Sequence, residues 1–297
     1  MDRKLKVLTF LSLVFIVFGV ILIIQVQSVG KLRLIFCDVG QGDGILIMTP
    51  GGSQVIIDSG PGTKIVECLG KYMPFWDRTI EMMLLTHPQK DHMEGQVEIF
   101  ARYRVEKVFT TGIKSESELY NAWEKELRAE MAKIYTPKAG DILILESIRG
   151  QTSKEVGPLQ ANLALEILWP DAASLSNWQS HAPKDLNDSA IVARLTYGSI
   201  CAYLTGDITK EILETLVDRT CQILKIAHHG SRTGTSESIL NSVSPSIAVI
   251  QLGKNSYGHP HKEVLDLLSA KGIKVLRNDK EADIVLETNG KTLSIKN

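Results

Sequence analysis

Six of the seven histidines fall in three short segments: His87 and His92, His228 and His229, His259 and His261. Each segment follows a run that reads as a strand, at residues 82–86, 223–227 and 248–252. Loops leaving one edge of a sheet can converge on a point, and imidazole is a common metal ligand. A lone histidine, such as His181 in its polar loop, reads as a solvated surface residue. Six clustered this way are not explained by packing and point to a metal. Thr86-His87-Pro88-Gln89-Lys90-Asp91-His92 places donors at His87, Asp91 and His92 with an amide at Gln89. Such a loop can aim different residues at each of two adjacent ions. In Leu204-Thr205-Gly206-Asp207 a strand ends in a carboxylate, and the glycine lets the backbone turn Asp207 inward, where it could bridge two cations. Alone, Thr-Gly-Asp is an ordinary turn; the histidines give it meaning.

These segments need strands to position them. Residues 31–39 and 45–48 read as strands around the glycine-rich turn 40–44, followed by strands at 54–57 and 79–85. A helix is expected over 95–103, a strand over 107–110 and a long amphipathic helix over 115–133. Further strands are expected at 141–145, 163–168, 190–196, 200–204, 221–226 and 247–252, with helices at 209–217 and 262–271. Three short strands near 274–276, 284–287 and 292–295 close the chain, and only 148–160 has linker-like composition. Mixed strand and helix order indicates an α+β fold of packed sheets with helices outside. Residues 31–297 fit one domain built in two halves.

The first thirty residues read as a separate object. Residues 7–24 carry no charge, and with Gln25 and Val26 the run is long enough, as one helix, to cross about 30 Å of hydrocarbon. Arg3, Lys4 and Lys6 precede it, so the positive-inside rule leaves the N-terminus cytoplasmic and the rest outside a single-pass anchor. The rival is a cleaved signal peptide and a secreted product, although residues 25–29 lack a small-x-small cleavage pattern. Either way the folded part is expected to be exported, where its four cysteines could pair in a way the sequence does not reveal. Lysine plus arginine number 33 against 34 aspartate plus glutamate. That balance, with 44% hydrophobic residues, excludes a disordered chain and a multi-span membrane protein and predicts no overall basic field.

His87-x-Gln89-x-Asp91-His92 resembles the His-x-His-x-Asp-His signature of the metallo-β-lactamase superfamily. Several phrases are similar, more narrowly, to the hydrolase domain of ComEC-type DNA-uptake proteins and the stand-alone enzymes related to it. They are Asp38-Val39-Gly40-Gln41-Gly42-Asp43, Ile57-Asp58-Ser59-Gly60, Leu186-Asn187-Asp188, Leu204-Thr205-Gly206-Asp207, Ala227-His228-His229-Gly230-Ser231 and Tyr257-Gly258-His259-Pro260-His261. The resemblance implies a four-layer αββα sandwich with metals at one sheet edge. It implies that His87 binds a first divalent ion, with Gln89 in the place of that ion's second ligand. Asp91 and His92 would bind a second ion, Asp207 would bridge the two, and one of His228 and His229, with His229 preferred, would complete the second site. His228 would then touch substrate phosphate, His259 or His261 would close the pocket or serve as the ligand instead, and Asp58 would hold a metal-binding loop in place from behind. The chain departs from the pattern in two ways. An amide at Gln89 binds more weakly than imidazole and shifts preference from zinc toward manganese or magnesium. No histidine stands between His92 and Asp207 as the middle ligand apart from His181, and Asn187 or Asp188 is the stand-in. One ion or two, zinc or manganese, are therefore open. The ComEC-type proteins also carry a many-helix channel, and a chain with one hydrophobic segment cannot be that channel.

A divalent ion with an open position lowers the pKa of bound water to about 7. Asp91 or Asp207 could orient the nucleophile and take its proton, and His228 could donate to a phosphate oxygen or protonate the leaving alkoxide. Lys225 and Ser231 could add donors for an anion. The expected activity is that of a metal-dependent phosphodiesterase or nuclease, with DNA or another phosphodiester as substrate. Two alternatives stand beside it: a hydrolase of a small exported lactam, lactone, thioester or choline-phosphate ester, and a non-catalytic binder in which Gln89 has disabled the site. Arg102, Arg104 and Lys107 could line a DNA path, but a solvated face explains them as well.

Overall fold

The computed structural model describes residues 9–13, 30–145, 163–178 and 180–296. Its strands, in chain order, begin with β1 (Leu32–Phe36), β2 (Gly44–Met48), β3 (Gln54–Asp58), β4 (Thr79–Ile80), β5 (Met82–Leu85) and β6 (Arg104–Val105). Then come β7 (Lys107–Thr110), β8 (Lys133–Tyr135), β9 (Ile142–Ile144), β10 (Leu163–Trp169), β11 (Val192–Tyr197) and β12 (Ile200–Leu204). The last are β13 (Ile223–Lys225), β14 (Ile247–Ile250), β15 (Lys274–Arg277), β16 (Ile284–Thr288) and β17 (Leu293–Lys296). One sheet runs β17-β16-β1-β2-β3-β5-β7-β8 and a second β15-β14-β13-β12-β11-β10-β9, while β4 and β6 form a small separate pair.

Alternation along the strands decides which side chains meet. In β1, Leu32, Leu34 and Phe36 face inward and Ile35 faces out; in β10, Leu163, Leu165 and Ile167 face inward. The inward sets of both sheets join in one core between them. The outward face of the first sheet is covered by helices Lys64–Tyr72, Lys90–Phe100 and Glu118–Glu130, and that of the second by Lys210–Leu216, Glu237–Val243 and Lys262–Ala270. The layers are helix, sheet, sheet, helix. Strands β3, β5, β7 and β8 run parallel, as do β12, β13, β14 and β15. Their carboxyl ends deliver the loops holding Asp58, His87, Asp207 and the His228–His229 pair.

Several expectations are corrected. The run 79–85 is two strands in different sheets, interrupted at Glu81, whose carboxylate accepts from Gln54 N at 2.7 Å. The helix expected over 115–133 is shorter, Glu118–Glu130, because Met131 turns left-handed and the chain re-enters the sheet as β8. Helices Lys64–Tyr72 and Glu237–Val243 were not anticipated. The transmembrane reading of residues 7–26 falls outside the described residues apart from helical 9–13; among the described residues no helix is long and apolar enough to cross a membrane. The linker-like stretch 148–160 also lies outside them.

The cysteines pair as Cys37–Cys68, fastening the end of β1 to the first helix, and Cys201–Cys221, fastening β12 to the approach of β13. The bridges close loops of 31 and 20 residues. Loop-closure entropy for such lengths is about 3–4 kcal/mol each. Reduction is expected to lower the unfolding free energy by roughly 3 kcal/mol per bridge, read as a fall in urea midpoint. An unchanged midpoint after both thiol pairs have been titrated would contradict it.

Candidate metal centre

Four side chains from three strand-end segments meet at the sheet edge. Single donor atoms of Asp91, His92, Asp207 and His229 lie within 4.8 Å of one another. Asp207 Oδ2 is 3.4 Å from both His92 Nε2 and His229 Nε2, and Asp91 Oδ2 is 3.4 Å from His229 Nε2. Asp91 and His92 ride the first turn of helix Lys90–Phe100, which starts after Gln89. The glycine turn behind them holds that turn in place: Asp43 N donates to the Asp91 carbonyl at 3.2 Å. Gly42, at φ +147°, approaches so closely that a Cβ would stand 2.2 Å from the same oxygen. On the other sheet, Gly206 (φ +52°) turns the chain so that Asp207 enters the cluster. His228 and His229 both adopt left-handed backbone, at φ 52° and 54°, a conformation costly for non-glycine residues. Bonds from His228 N to Gly206 O and from Ser231 N to His228 O hold that loop.

Each buried imidazole is aimed by its far nitrogen. His92 Nδ1–H donates to Asp58 Oδ2 at 2.8 Å, and His229 Nδ1–H to the Gln251 carbonyl at 2.9 Å. Asp58 is itself held by Thr86 N at 2.8 Å and Thr86 Oγ1 at 2.6 Å. Because the Thr86 hydroxyl spends its proton on Asp58, His87 must donate from Nδ1 to Thr86 Oγ1, 3.0 Å away. That leaves a lone pair on His87 Nε2. Nε2 of His87, His92 and His229 and Oδ1 of Asp207 are buried without a hydrogen-bond partner. Such orphaned donors ordinarily belong to a cation site.

The electrostatics agree. Burial pushes His92 and His229 down, but Asp207 beside them more than offsets it; His92 is held well above the ordinary range and His229 at about 10. Burial, with His92 adjacent, drives His87 down to about 3, so it is neutral. Burial opposes ionisation of Asp207 and Asp91, yet neighbouring histidines keep both below the usual carboxylate range. Protons on His92 and His229 thus balance the buried carboxylates; the donor set of nitrogens and oxygens fits a divalent cation, whose charge would take the place of those protons.

The other residues singled out from sequence are placed as follows. His228 is a quarter exposed, with Nε2 3.9 Å from Asp207 Oδ2. The His259 ring lies 5.6 Å from that of His228 and 5.0 Å from that of His261, so both reach the rim of the cluster. Gln89 contributes its backbone carbonyl to the start of the helix, accepting from His92 N and Met93 N. Asn187 is buried, and Asp188 accepts from Thr209 Oγ1 at 2.8 Å, bracing the segment after Asp207 rather than joining the four donors. Two of the expected anion donors lie buried. Lys225 is fully buried, pairing with Asp43 and donating to Gly206 O at 2.8 Å, so its ammonium points into the protein. Ser231 is 5% exposed, and its hydroxyl is shared with Thr233 at 2.9 Å. The residue missed was Asp43, buried, with Oδ1 3.4 Å from His229 Nδ1. It stood in the glycine-rich phrase, but its partner lies far along the chain.

Changing Asp58→Asn removes the charge that fixes His92. Metal affinity measured by calorimetry is expected to fall about 10- to 100-fold, and an unchanged affinity would deny Asp58 that task.

No protein-family profile matches the chain. The "metallo-beta-lactamase fold protein YhfI" of Bacillus subtilis superposes with a TM-score of 0.54 at 11% identity, over 87% of this chain and 99% of that one. The fold is that of the metallo-β-lactamases. In sequence, the chain is similar to ComE operon protein 3 of Bacillus subtilis, 29% identical over 87% of this chain and 33% of the relative. It is also similar to competence protein ComA of Neisseria gonorrhoeae, 39% identical over 32% of this chain and 15% of the relative. The chain thus spans about a third or less of the length of these curated relatives. The likeness to ComEC-type proteins carried by the sequence phrases holds, on a metallo-β-lactamase scaffold whose strand-end loops carry the donor cluster.

Proposed function

We propose that this chain is a metal-dependent phosphodiesterase that cleaves nucleic acid outside the membrane to which residues 7–26 anchor it. The observation carrying this reading is the meeting of Asp91, His92, Asp207 and His229 within 4.8 Å beneath a partly exposed histidine. The competence names of the relatives support DNA as the polymer. Two disulfides support an oxidising compartment. The folded domain in this reading is residues 31–297.

Asp207, His92 and His229, each no more than 2% exposed, would hold the cation, with Asp91 completing the set and His87 offering Nε2 to a second ion. A divalent cation, zinc or manganese, supplies Lewis acidity there, neutralising phosphate charge and bringing the pKa of water to about 7. Asp91, whose side chain is 31% exposed, is the carboxylate within reach of solvent and would orient the attacking water and accept its proton. His228 stands on the open side and would donate from Nε2 to a phosphate oxygen. His259 and His261 would bound the pocket.

The test is hydrolysis of bis-p-nitrophenyl phosphate and single-stranded DNA with added manganese or zinc. Turnover abolished by chelation and by Asp91→Ala is the expected result. Hydrolysis of lactams, lactones, thioesters or choline-phosphate esters alone would move the activity to a small exported substrate. No turnover of any ester would leave a binder.

A further inference from the structure

We propose that the sheet end opposite the metal centre rests on a lipid surface, with Phe75, Trp76 and Met131 entering the headgroup region. The inference builds on the anchor reading of residues 7–26 above.

These three side chains are 74%, 56% and 88% exposed. The Phe75 and Trp76 rings meet edge to face at 4.8 Å, so the pair is ordered although both rings face solvent. Aromatic side chains with an apolar body concentrate at membrane–water boundaries.

Hydrogen bonds tie the three to one rim. Gln54, at the start of β3, donates from Nε2 to Asp77 beside Trp76 at 3.4 Å, and its carbonyl accepts from Glu81 N. Arg104 N donates to Arg78 O, and Val105 N to Glu130 Oε1, immediately before Met131. Lys133 N donates to Glu106 O. The rim is therefore the end at which the parallel strands β3, β5, β7 and β8 begin. Arg78, Arg104 and Lys133 are exposed along it. Glu106 pairs with Arg104, and Glu81 and Glu130 hold backbone N–H groups while keeping their charge, so the rim carries both signs.

The point of chain entry decides the occupant. Gly30 N bonds Pro50 O in the β2–β3 turn, so the chain joins the sheet at this same end. Only residues 27–29 separate it from the apolar run, and three residues span at most about 10 Å. A membrane-crossing segment would hold this rim against the bilayer. The metal centre lies past the far ends of β3 and β5, about 16 Å along a five-residue strand, and so opens away from the lipid.

The experiment uses the full chain reconstituted in phosphatidylcholine–phosphatidylglycerol vesicles, with tryptophan emission quenched by lipids brominated near the headgroup. Wild type is expected to show a lipid-quenched fraction that Trp76→Phe removes and Phe75→Ser diminishes. Equal quenching in wild type and Trp76→Phe would overturn the proposal. So would a Trp76 shielded from acrylamide yet unquenched by lipid, which would make the face a contact with a second copy. Release of the chain by alkaline carbonate would overturn the anchor reading and the docking together; a retained chain with no lipid-quenched Trp76 overturns the docking alone.

Discussion

Asp207→Ala is expected to lower kcat/KM for phosphodiester hydrolysis on the order of 10³-fold or more. The Asp207 carboxylate is the hub of the cluster: Oδ2 lies within 3.4 Å of two imidazoles and 3.9 Å of a third, and Oδ1 lies 3.8 Å from the Lys225 ammonium. Removing it leaves Lys225 and the histidines facing one another without the charge that reconciles them, so the pocket would repel a cation rather than hold it. Asp207→Asn keeps the shape and discards the charge, and is expected to fail nearly as badly. Calorimetric titration with manganese or zinc measures the loss of binding, and circular dichroism checks that both variants fold. An alanine variant within tenfold of wild type would remove Asp207 from the machinery.

Lys225→Met is expected to destabilise the protein by about 3–5 kcal/mol. Asp43 is 1% exposed, and burial would raise its pKa were it not for Lys225, which holds it below the usual range. Losing the ammonium strands a buried carboxylate. Asp43→Leu combined with Lys225→Met removes both charges and is expected to recover much of the loss, giving a coupling of well over about 1 kcal/mol in a urea-denaturation cycle. Additive single and double variants would mean that the pair does not act as a unit.

These two residues mark where sequence reasoning stops. His87, His92, Asp207 and His229 were legible because unusual residue types cluster after apolar runs, and strand-end loops have few places to go. Asp43 and Lys225 were not, because each looks ordinary in its own string: an acid in a glycine turn and a lysine in an apolar strand. Their meaning is a pairing across 182 positions, which local periodicity does not encode. The packed sheets were legible from the mixed order of strands and helices, and the four layers from the resemblance; the alternation that puts Leu32, Leu34 and Phe36 on one face shows only in the structure. Its short helices were harder. Ser236 caps Glu237–Val243 by accepting from Ile239 N, a signal present in the sequence, but seven residues are too few for a helical period to stand out. The end of Glu118–Glu130 at left-handed Met131 lacks the glycine that would have announced it.

The return of β16 and β17 to the first sheet governs the timing of assembly. Phe36 and its strand pair with residues 284–288, some 250 positions downstream, and the β17 pairing depends on β16 in turn. During synthesis β1 can pair with β2 at once but waits for its second neighbour while everything between is made, a long loop to close. The loops bearing Asp43 and Asp58 hang from the sheet that β16 and β17 complete. An emerging polypeptide thus lacks a finished first sheet, and with it a settled donor cluster, until nearly all of it has been made.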